Sequence, residues 1–150
     1  MINTFTGEHR WLSNFWPIAV EFDKIYYPSV EHAYQASKTL SFDQRKKILL
    51  CQTAGEAKRY GGKLVRRDDF EKNKIKIMKG LLVQKFENPY LRKQLLATGN
   101  TVLVEGNWWG DTFWGKCAGV GRNHLGELIM DIRGDLRTAD GGGEIGIGLI

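Results

Sequence analysis

The sequence predicts an α+β fold, a predominantly helical single domain with a small N-terminal β-hairpin and a short central strand. Three observations predict it. Ile18, Val20 and Phe22 alternate with Ala19 and Glu21, then Asp23-Lys24 turns the chain into Ile25-Tyr26-Tyr27, the two-residue period of paired strands. Phe70, Lys74, Ile77, Met78, Leu81, Leu82 and Phe86 recur at helical spacing, an apolar stripe interrupted by one lysine stem. Thr101-Val102-Leu103-Val104-Glu105 is a short β-branched run that ends on a carboxylate.

Taken in order, Ile2 to Gly7 reads as a short strand, followed by the Leu12-Ser13-Asn14-Phe15-Trp16-Pro17 loop and then the hairpin. Pro28 fixes the backbone, Ser29 can accept a hydrogen bond from a free amide of a first turn, and neither Gly nor Pro follows until Gly55, so a helix starts here. Ser41 caps a second helix over about Phe42 to Leu50. Thr53-Ala54-Gly55-Glu56 has the spacing of a reciprocal capping box, so a short helix carrying Lys58 runs to Gly61-Gly62. Asp68 or Asp69 caps the long striped helix, which is scaffold. Asn88-Pro89 stops one helix and starts another, Tyr90 to Ala97, closed by Gly99. From Gly106 to Gly121 the chain is rich in Gly and Trp without helical period, a loop that packs its own aromatics. Asn123 caps the last helix, with Leu125, Leu128, Ile129, Ile132 and Leu136 facing inward. After Arg137 the composition turns to Ala139-Asp140-Gly141-Gly142-Gly143. Residues 1–137 therefore read as one domain and 138–150 as a Gly-rich tail, disordered or docked as an extra strand.

The 150 residues suffice for one domain with a real core, and 42% hydrophobic and 26% charged content are those of a globular protein. No apolar run nears the roughly 20 residues that cross a bilayer. Met1-Ile2-Asn3-Thr4-Phe5 lacks the basic and apolar regions of a signal peptide, so the expectation is a cytoplasmic protein with no membrane partner. Cys51 and Cys117 form no C-x-x-C, and His9, His32 and His124 have no metal-ligand spacing, so neither a disulfide framework nor a metal is expected. The net charge of +5 and pI near 9.2 favour anionic partners, without choosing between a phosphorylated metabolite and a nucleic acid. Gly141 to Gly143 do not follow a strand and open a helix as a dinucleotide fingerprint must, and there is no G-x-S-x-G.

The stretch with the most chemistry is Ser29 to Lys38. At about 100° per residue, Glu31, Tyr34, Gln35 and Lys38 share one side of a helix, and Val30, Ala33, Ser37 and Leu40 the other. Glu31 and Lys38 are roughly 10 Å apart along the axis, too far for a surface ion pair, so either a ligand over Tyr34 uses both or the face is simply wetted. Trp108, Trp109 and Trp114 fall within seven residues beside Glu105 and Asp111; they either fill core or present a stacking wall for a planar heterocycle.

Several blocks occur in a fixed order: Ser13-Asn14-Phe15 with Pro17, Ser29-x-Glu31-His32-x-Tyr34-Gln35-Ala36-x-Lys38, Ala57-Lys58, Lys85-Phe86 with Asn88, Thr98-Gly99, Leu103-x-Glu105, Asp111-x-x-Trp114-Gly115 and Gly121-x-Asn123-x-Leu125-Gly126. In that order, from about Phe5 to Leu136, the chain resembles the NADAR (NAD and ADP-ribose), or YbiA-like, family of N-glycosidases. The resemblance implies a cofactor-free hydrolase that cleaves the bond between ribose C1 and nitrogen. Its implied substrates are a phosphoribosylamino-pyrimidine of riboflavin biosynthesis or ADP-ribose attached to guanine. The partner is thus a small phosphorylated riboside or ADP-ribose adduct, or a nucleic acid where the guanine lies in DNA or RNA.

Carried over position by position, the resemblance makes Lys38, Glu31 and Asp111 catalytic. Asn14, Phe15, Tyr34, Gln35, Lys58, Glu105, Trp108, Trp114 and Asn123 become substrate-binding. Cleavage of an N-glycoside needs an acid for the departing nitrogen and a group that stabilises or captures C1. Glu31 with Asp111 or Glu105 could supply this as a carboxylate pair; a desolvated lysine could instead attack the opened imine and form a Schiff base. The resemblance implies the lysine route, with Lys38 as nucleophile, Glu31 moving protons, Tyr34 and Trp108 holding the base and Asp111 on ribose hydroxyls. Lys58, Arg59, Arg66 and Arg67, with Asn14 and nearby loop amides, are the phosphate candidates. Family members often show Gly-Arg and Asp-Trp where this chain has Gly61-Gly62 and Asp69-Phe70; the missing arginine leaves one phosphate or ribose contact to be made by Lys63, Arg66 or Arg67 or lost, and Phe70 can still pack but gives no indole hydrogen bond. The competing reading is a non-catalytic ADP-ribose or nucleotide-binding module, which needs no Lys38.

Overall fold

The hairpin forms where the alternation places it. In the computed structural model, which describes residues 1–149 with side chains through Asp140, β1 (Pro17–Phe22) pairs antiparallel with β2 (Ile25–Ser29). Asp23 and Lys24 both take positive φ, 50° and 68°, the left-handed pair that lets a two-residue turn follow the twist of its strands. Among the described residues six α-helices follow: α1 (Val30–Ala36), α2 (Phe42–Leu49), α3 (Ala54–Gly61), α4 (Phe70–Glu87), α5 (Pro89–Ala97) and α6 (His124–Leu149). Between the last two, β3 (Gly106–Asn107) pairs in parallel with β4 (Lys116–Cys117). The architecture is the predicted mixed α+β. The chain groups into two compact units, residues 10–87 and residues 1–9 with 88–150. We call them the hairpin unit and the indole unit.

In the hairpin unit α1 is central and packs against β2, α2, α3 and α4. Val30, Ala33 and Ala36 are fully buried, which lets neighbouring backbones approach closely. The long helix α4 buries Phe70, Met78, Leu81, Leu82 and Phe86, as the stripe predicts. It also holds the hairpin edge. The Gln84 side-chain amide donates to the Glu21 carbonyl at 2.8 Å and its oxygen accepts from the Glu21 amide at 2.7 Å. In the indole unit α5 packs on α6, whose Leu125, Leu128, Ile129 and Ile132 are buried and Leu136 partly so.

Caps decide most boundaries. Ser29, Ser41 and Thr53 each accept from the amide three residues on, and Asn88 accepts from Tyr90 and Leu91. Elsewhere the local reading needs correction. Ile2 to Gly7 is not a strand: Ile2 makes a single parallel bridge to Leu103, and Gly7, with φ +56°, begins a 3₁₀ helix (Gly7–Leu12). Thr101 to Glu105 forms only that bridge, with Ile2 bonding Val102 and Val104 on either side; the strand is displaced to Gly106–Asn107. Asp69 does not cap α4 with its side chain, because its carboxylate is paired with Arg67 at 2.6 Å. The tail expected from residue 138 lies, from residue 141 on, outside the residues whose side chains are described; α6 itself is assigned to Leu149. Among the described residues no helix is long and apolar enough to cross a membrane.

Candidate active site

The hairpin unit gathers Asn14, Phe15, Glu31, Tyr34, Gln35, Lys38 and Lys58. The start of α1 is fixed twice. Ser29 Oγ accepts from the His32 amide and lies 2.6 Å from His32 Nδ1, while His32 Nε2 lies 3.0 Å from the Cys51 carbonyl. The Glu31 amide donates to the Asn14 carbonyl at 3.0 Å, which ties the loop before the hairpin to the first turn of the helix. Glu31, Tyr34 and Gln35 are all buried, so this face is not the wetted surface that the bland reading required.

Lys38 does not continue the helix. Ser37 caps α1, its hydroxyl donating to the Tyr34 carbonyl at 2.6 Å, so Lys38 leaves in the following turn. A serine that bonds back to a carbonyl three residues earlier competes with the next helical bond, and the helical wheel misplaced Lys38 for that reason. The Arg67 amide then donates to the Lys38 carbonyl at 2.7 Å, fixing the backbone of the turn. The side chain still comes to the predicted neighbours: Nζ lies 5.7 Å from the centroid of the Tyr34 ring. Burial pushes the Lys38 ammonium below the ordinary lysine range; Glu31 opposes this, and Arg66 and Lys58 add to it. A half-buried amine within the field of a buried carboxylate suits a nucleophilic lysine and its proton carrier.

Around this pair, Gln35 Nε2 donates to Glu31 Oε1 at 3.4 Å. The Gln35 Oε1 atom is buried without a hydrogen-bond partner among the described residues, and so is Asn14 Oδ1. Buried amide oxygens left unpaired are costly and point to an acceptor role toward a ligand. Asn14 Nδ2 meanwhile lies 3.6 Å from Met78 Sδ. Lys58 Nζ stands 5.9 Å over the Phe15 ring, and that ring is exposed. Phe70, which replaces the indole frequent in the family, is buried against Tyr34 with centroids 5.5 Å apart. Of the phosphate candidates, Arg66 is paired with Glu71 and Arg67 with Asp69, while Lys58 and Arg59 are exposed on α3.

Two structural residues escaped the sequence reading. Lys85 is 0% exposed and donates to the Ser13 carbonyl at 2.7 Å, holding the loop that carries Asn14. Gly61 faces Gln35 so closely that a Cβ there would collide with the Gln35 side chain. Only the block Lys85-Phe86 within the family resemblance hinted at the first of these, and periodicity hinted at neither.

The indole unit carries Glu105, Trp108, Asp111, Trp114 and Asn123. Asp111 Oδ1 accepts from the Phe113 and Trp114 amides at 3.0 and 2.9 Å, and the Asn107 amide brackets the Asp111 backbone on both sides. Asp111 thus shapes the loop, whatever its charge does besides. Trp114 packs edge to face on Phe113 with centroids 4.8 Å apart. Asn123 is not a side-chain cap of α6. At φ 53° its amide is buried and turned back, Nδ2 to the Leu103 carbonyl and Oδ1 to the Glu105 amide, both at 2.9 Å, and every described bond of its side chain is to backbone. Trp108 is 86% exposed, against the expectation of an aromatic packed in its own loop. Among the described residues no group of three His, Cys, Asp or Glu could hold a metal ion.

The NADAR domain profile matches residues 3–137. Over 133 residues the chain is 36% identical to an N-glycosidase of Nostoc punctiforme, a match covering 84% of this chain and 85% of that one. It is 38% identical over 130 residues to the N-glycosidase YbiA of Escherichia coli, covering 83% and 79%. A riboflavin biosynthesis protein of Vibrio vulnificus is 35% identical over 133 residues; that match takes 86% of this chain but spans about a third, 36%, of the longer protein. The NMR structure of Escherichia coli YbiA matches with a TM-score of 0.80 at 31% identity, covering 93% of this chain and 89% of the other. From residue 3 to residue 137 the chain belongs to the NADAR domain family, the family of these N-glycosidases.

Proposed function

We propose that this enzyme of the N-glycosidase family hydrolyses the bond between ribose C1 and an amino nitrogen through a Schiff base on Lys38, with Glu31 carrying the proton. The observation that supports it most is the Lys38 amine, partly desolvated, over the Tyr34 ring and under the electrostatic influence of buried Glu31.

The ribose ring of a ribosylamine opens to an imine when its glycosidic nitrogen carries a hydrogen. The neutral Lys38 amine adds to C1 of that imine. The C1 to nitrogen bond of the base then breaks, the leaving nitrogen takes a proton relayed by Glu31, and C1 remains doubly bonded to Nζ. Water adds to C1, Nζ departs, and the free ribose closes. One C–N bond is exchanged for one C–O bond and no oxidant or reductant takes part.

This chemistry selects the substrate class. The glycosidic nitrogen must bear hydrogen, as in a phosphoribosylamino-pyrimidine of riboflavin biosynthesis or in ADP-ribose carried on the exocyclic amine of guanine. An ordinary nucleoside, whose base is joined through a ring nitrogen without hydrogen, does not open in this way. Gln35 Oε1 and Asn14 Oδ1 would accept from substrate donors, and Lys58 would meet phosphate. Product analysis by mass spectrometry over a panel of N-ribosides tests the reading. Release of free base from amino-linked ribosides, with ring-linked nucleosides untouched, supports it; no release from any amino-linked member contradicts it.

A further inference from the structure

Arg45 is a buried cation that the chemistry of Lys38 and Glu31 does not use. It lies on α2, 4% exposed, with its guanidinium 5.2 Å from the centroid of the Phe22 ring. Its Nε donates to the Thr39 carbonyl at 2.9 Å, and its Nη1 donates to Asp23 Oδ2, also at 2.9 Å. Thr39 is the residue after Lys38, and Asp23 belongs to the two-residue turn of the hairpin. One planar group thus ties the connection that carries Lys38 to a turn distant from it in sequence. A rigid fork of donors holds two acceptors in fixed directions, as the point charge of an ammonium does not.

The other bonds of that connection are made nearer by. Thr39 Oγ1 donates to Gln44 Oε1 and accepts from the Ser41 amide, and the Arg67 amide meets the Lys38 carbonyl. The Arg45 bond is the member of this set that reaches the hairpin, and Asp23 anchors it. A buried guanidinium is costly unless its charge is met, so the Asp23 carboxylate keeps the clamp in place. Burial is the largest cause that holds the Lys38 ammonium below the ordinary lysine range, so that depression depends on where the connection keeps the amine. The charges that act on the amine are Glu31, Arg66, Lys58 and Glu71. Arg45 and Asp23 are not among them; they reach Lys38 through its backbone.

We propose that Arg45 and Asp23 are positioning residues for the Lys38 amine, a clamp that keeps it in its half-buried place; the proposal rests on Lys38 as the nucleophile. Profiles of kcat/KM against pH and amide hydrogen exchange, on the full chain, test it with Arg45→Met, Asp23→Gly and the control Lys24→Gly. Glycine suits the positive φ at both turn positions, so neither turn variant strains the backbone. With the clamp cut, the amine regains water. In Arg45→Met and Asp23→Gly the rising limb moves up by about half a pH unit or more, about threefold in rate along that limb, and the Arg67 amide exchanges faster. Loss of the Asp23 charge acting directly on the amine would move the limb down instead, so the sign separates the two routes. Lys24→Gly leaves both readouts as in wild type. The proposal is overturned if the limb of Asp23→Gly stays in place or moves down, or if Lys24→Gly moves it equally. Borohydride trapping on wild-type Lys38 separates the clamp from the reading beneath it. Without a trapped Lys38 both fall; with a trapped Lys38 and an unmoved limb only the clamp falls.

Discussion

The Lys38 ammonium stands 5.7 Å from the centroid of the Tyr34 ring although Lys38 lies beyond the end of the helix that carries Tyr34. The cap at Ser37 swings the lysine out of the helical path, and the Arg67 amide secures the turn on its carbonyl. The amine is therefore delivered to the buried face by a loop fixed at both ends.

The first prediction concerns pH. Attack requires the neutral amine, and burial lowers the Lys38 pKa while Glu31 holds the proton on. The rate should thus rise with pH along a limb whose midpoint lies below the ordinary lysine value of about 10.4. Glu31→Gln removes the attraction, so the limb moves to lower pH even as turnover falls. Lys58→Met removes a repulsion, so its limb moves to higher pH. Profiles of kcat/KM against pH for the three proteins read both shifts, and movement of either limb in the opposite direction contradicts the assignment.

The same desolvation is a cost to the fold. The folded pKa of Lys38 lies below its unfolded value, so the penalty is complete below the folded pKa and fades as pH rises through the unfolded one. Lys38→Met should raise the thermal midpoint by a few degrees at pH 7, and the gain should shrink above pH 10. Thermal melts at the two pH values measure it. An unchanged or lowered midpoint at pH 7 would mean that the charge is well solvated.

Lys85 supports the site from beneath. Lys85→Met keeps much of the buried stem but removes the donor to the Ser13 carbonyl, an expected loss of about 1 to 3 kcal/mol for a buried group left unmet. Because the Glu31 amide donates to Asn14, next to Ser13, its hydrogen exchange should quicken in this variant. Denaturant midpoints and exchange rates report the two effects, and unaltered protection at Glu31 would uncouple Lys85 from the site.

Asp111 separates shape from charge. Its Oδ1 accepts from two amides, a role that Asn can keep and Ala cannot. Asp111→Asn should match wild type in thermal stability, whereas Asp111→Ala should lose about 1 to 2 kcal/mol. Any fall in turnover of the Asn variant then measures the carboxylate charge itself. Equal destabilisation by both substitutions would show that the turn is not what Asp111 maintains.

What was legible in the sequence was local. Ser29, Ser41, Thr53 and Asn88 bond within three residues of themselves, so their caps and the helices they begin can be read from neighbours in the chain. The hairpin and the α4 stripe are likewise short-period features. Two misreadings are local competitions, Ser37 bonding back to Tyr34 and Asp69 pairing with Arg67, and the others involve side chains that reach far along the chain. Asn123 clamps the backbone at Leu103 and Glu105 instead of capping α6, Lys85 bonds a carbonyl 72 residues away, and Gly61 makes room for Gln35. No period or turn rule encodes such pairings. The block Ser29-x-Glu31-His32-x-Tyr34-Gln35-Ala36-x-Lys38 located the reactive cluster only because the family resemblance ranked it above other polar faces.

The most direct measurement is reductive trapping. Borohydride added during turnover of an amino-linked riboside reduces a C1 to Nζ imine to a stable amine, and peptide mass spectrometry locates it. The account predicts a ribose-derived adduct on Lys38 in wild type and none in Lys38→Ala, whose turnover falls by orders of magnitude while binding is largely kept. Full turnover with Lys38 unmodified would contradict it.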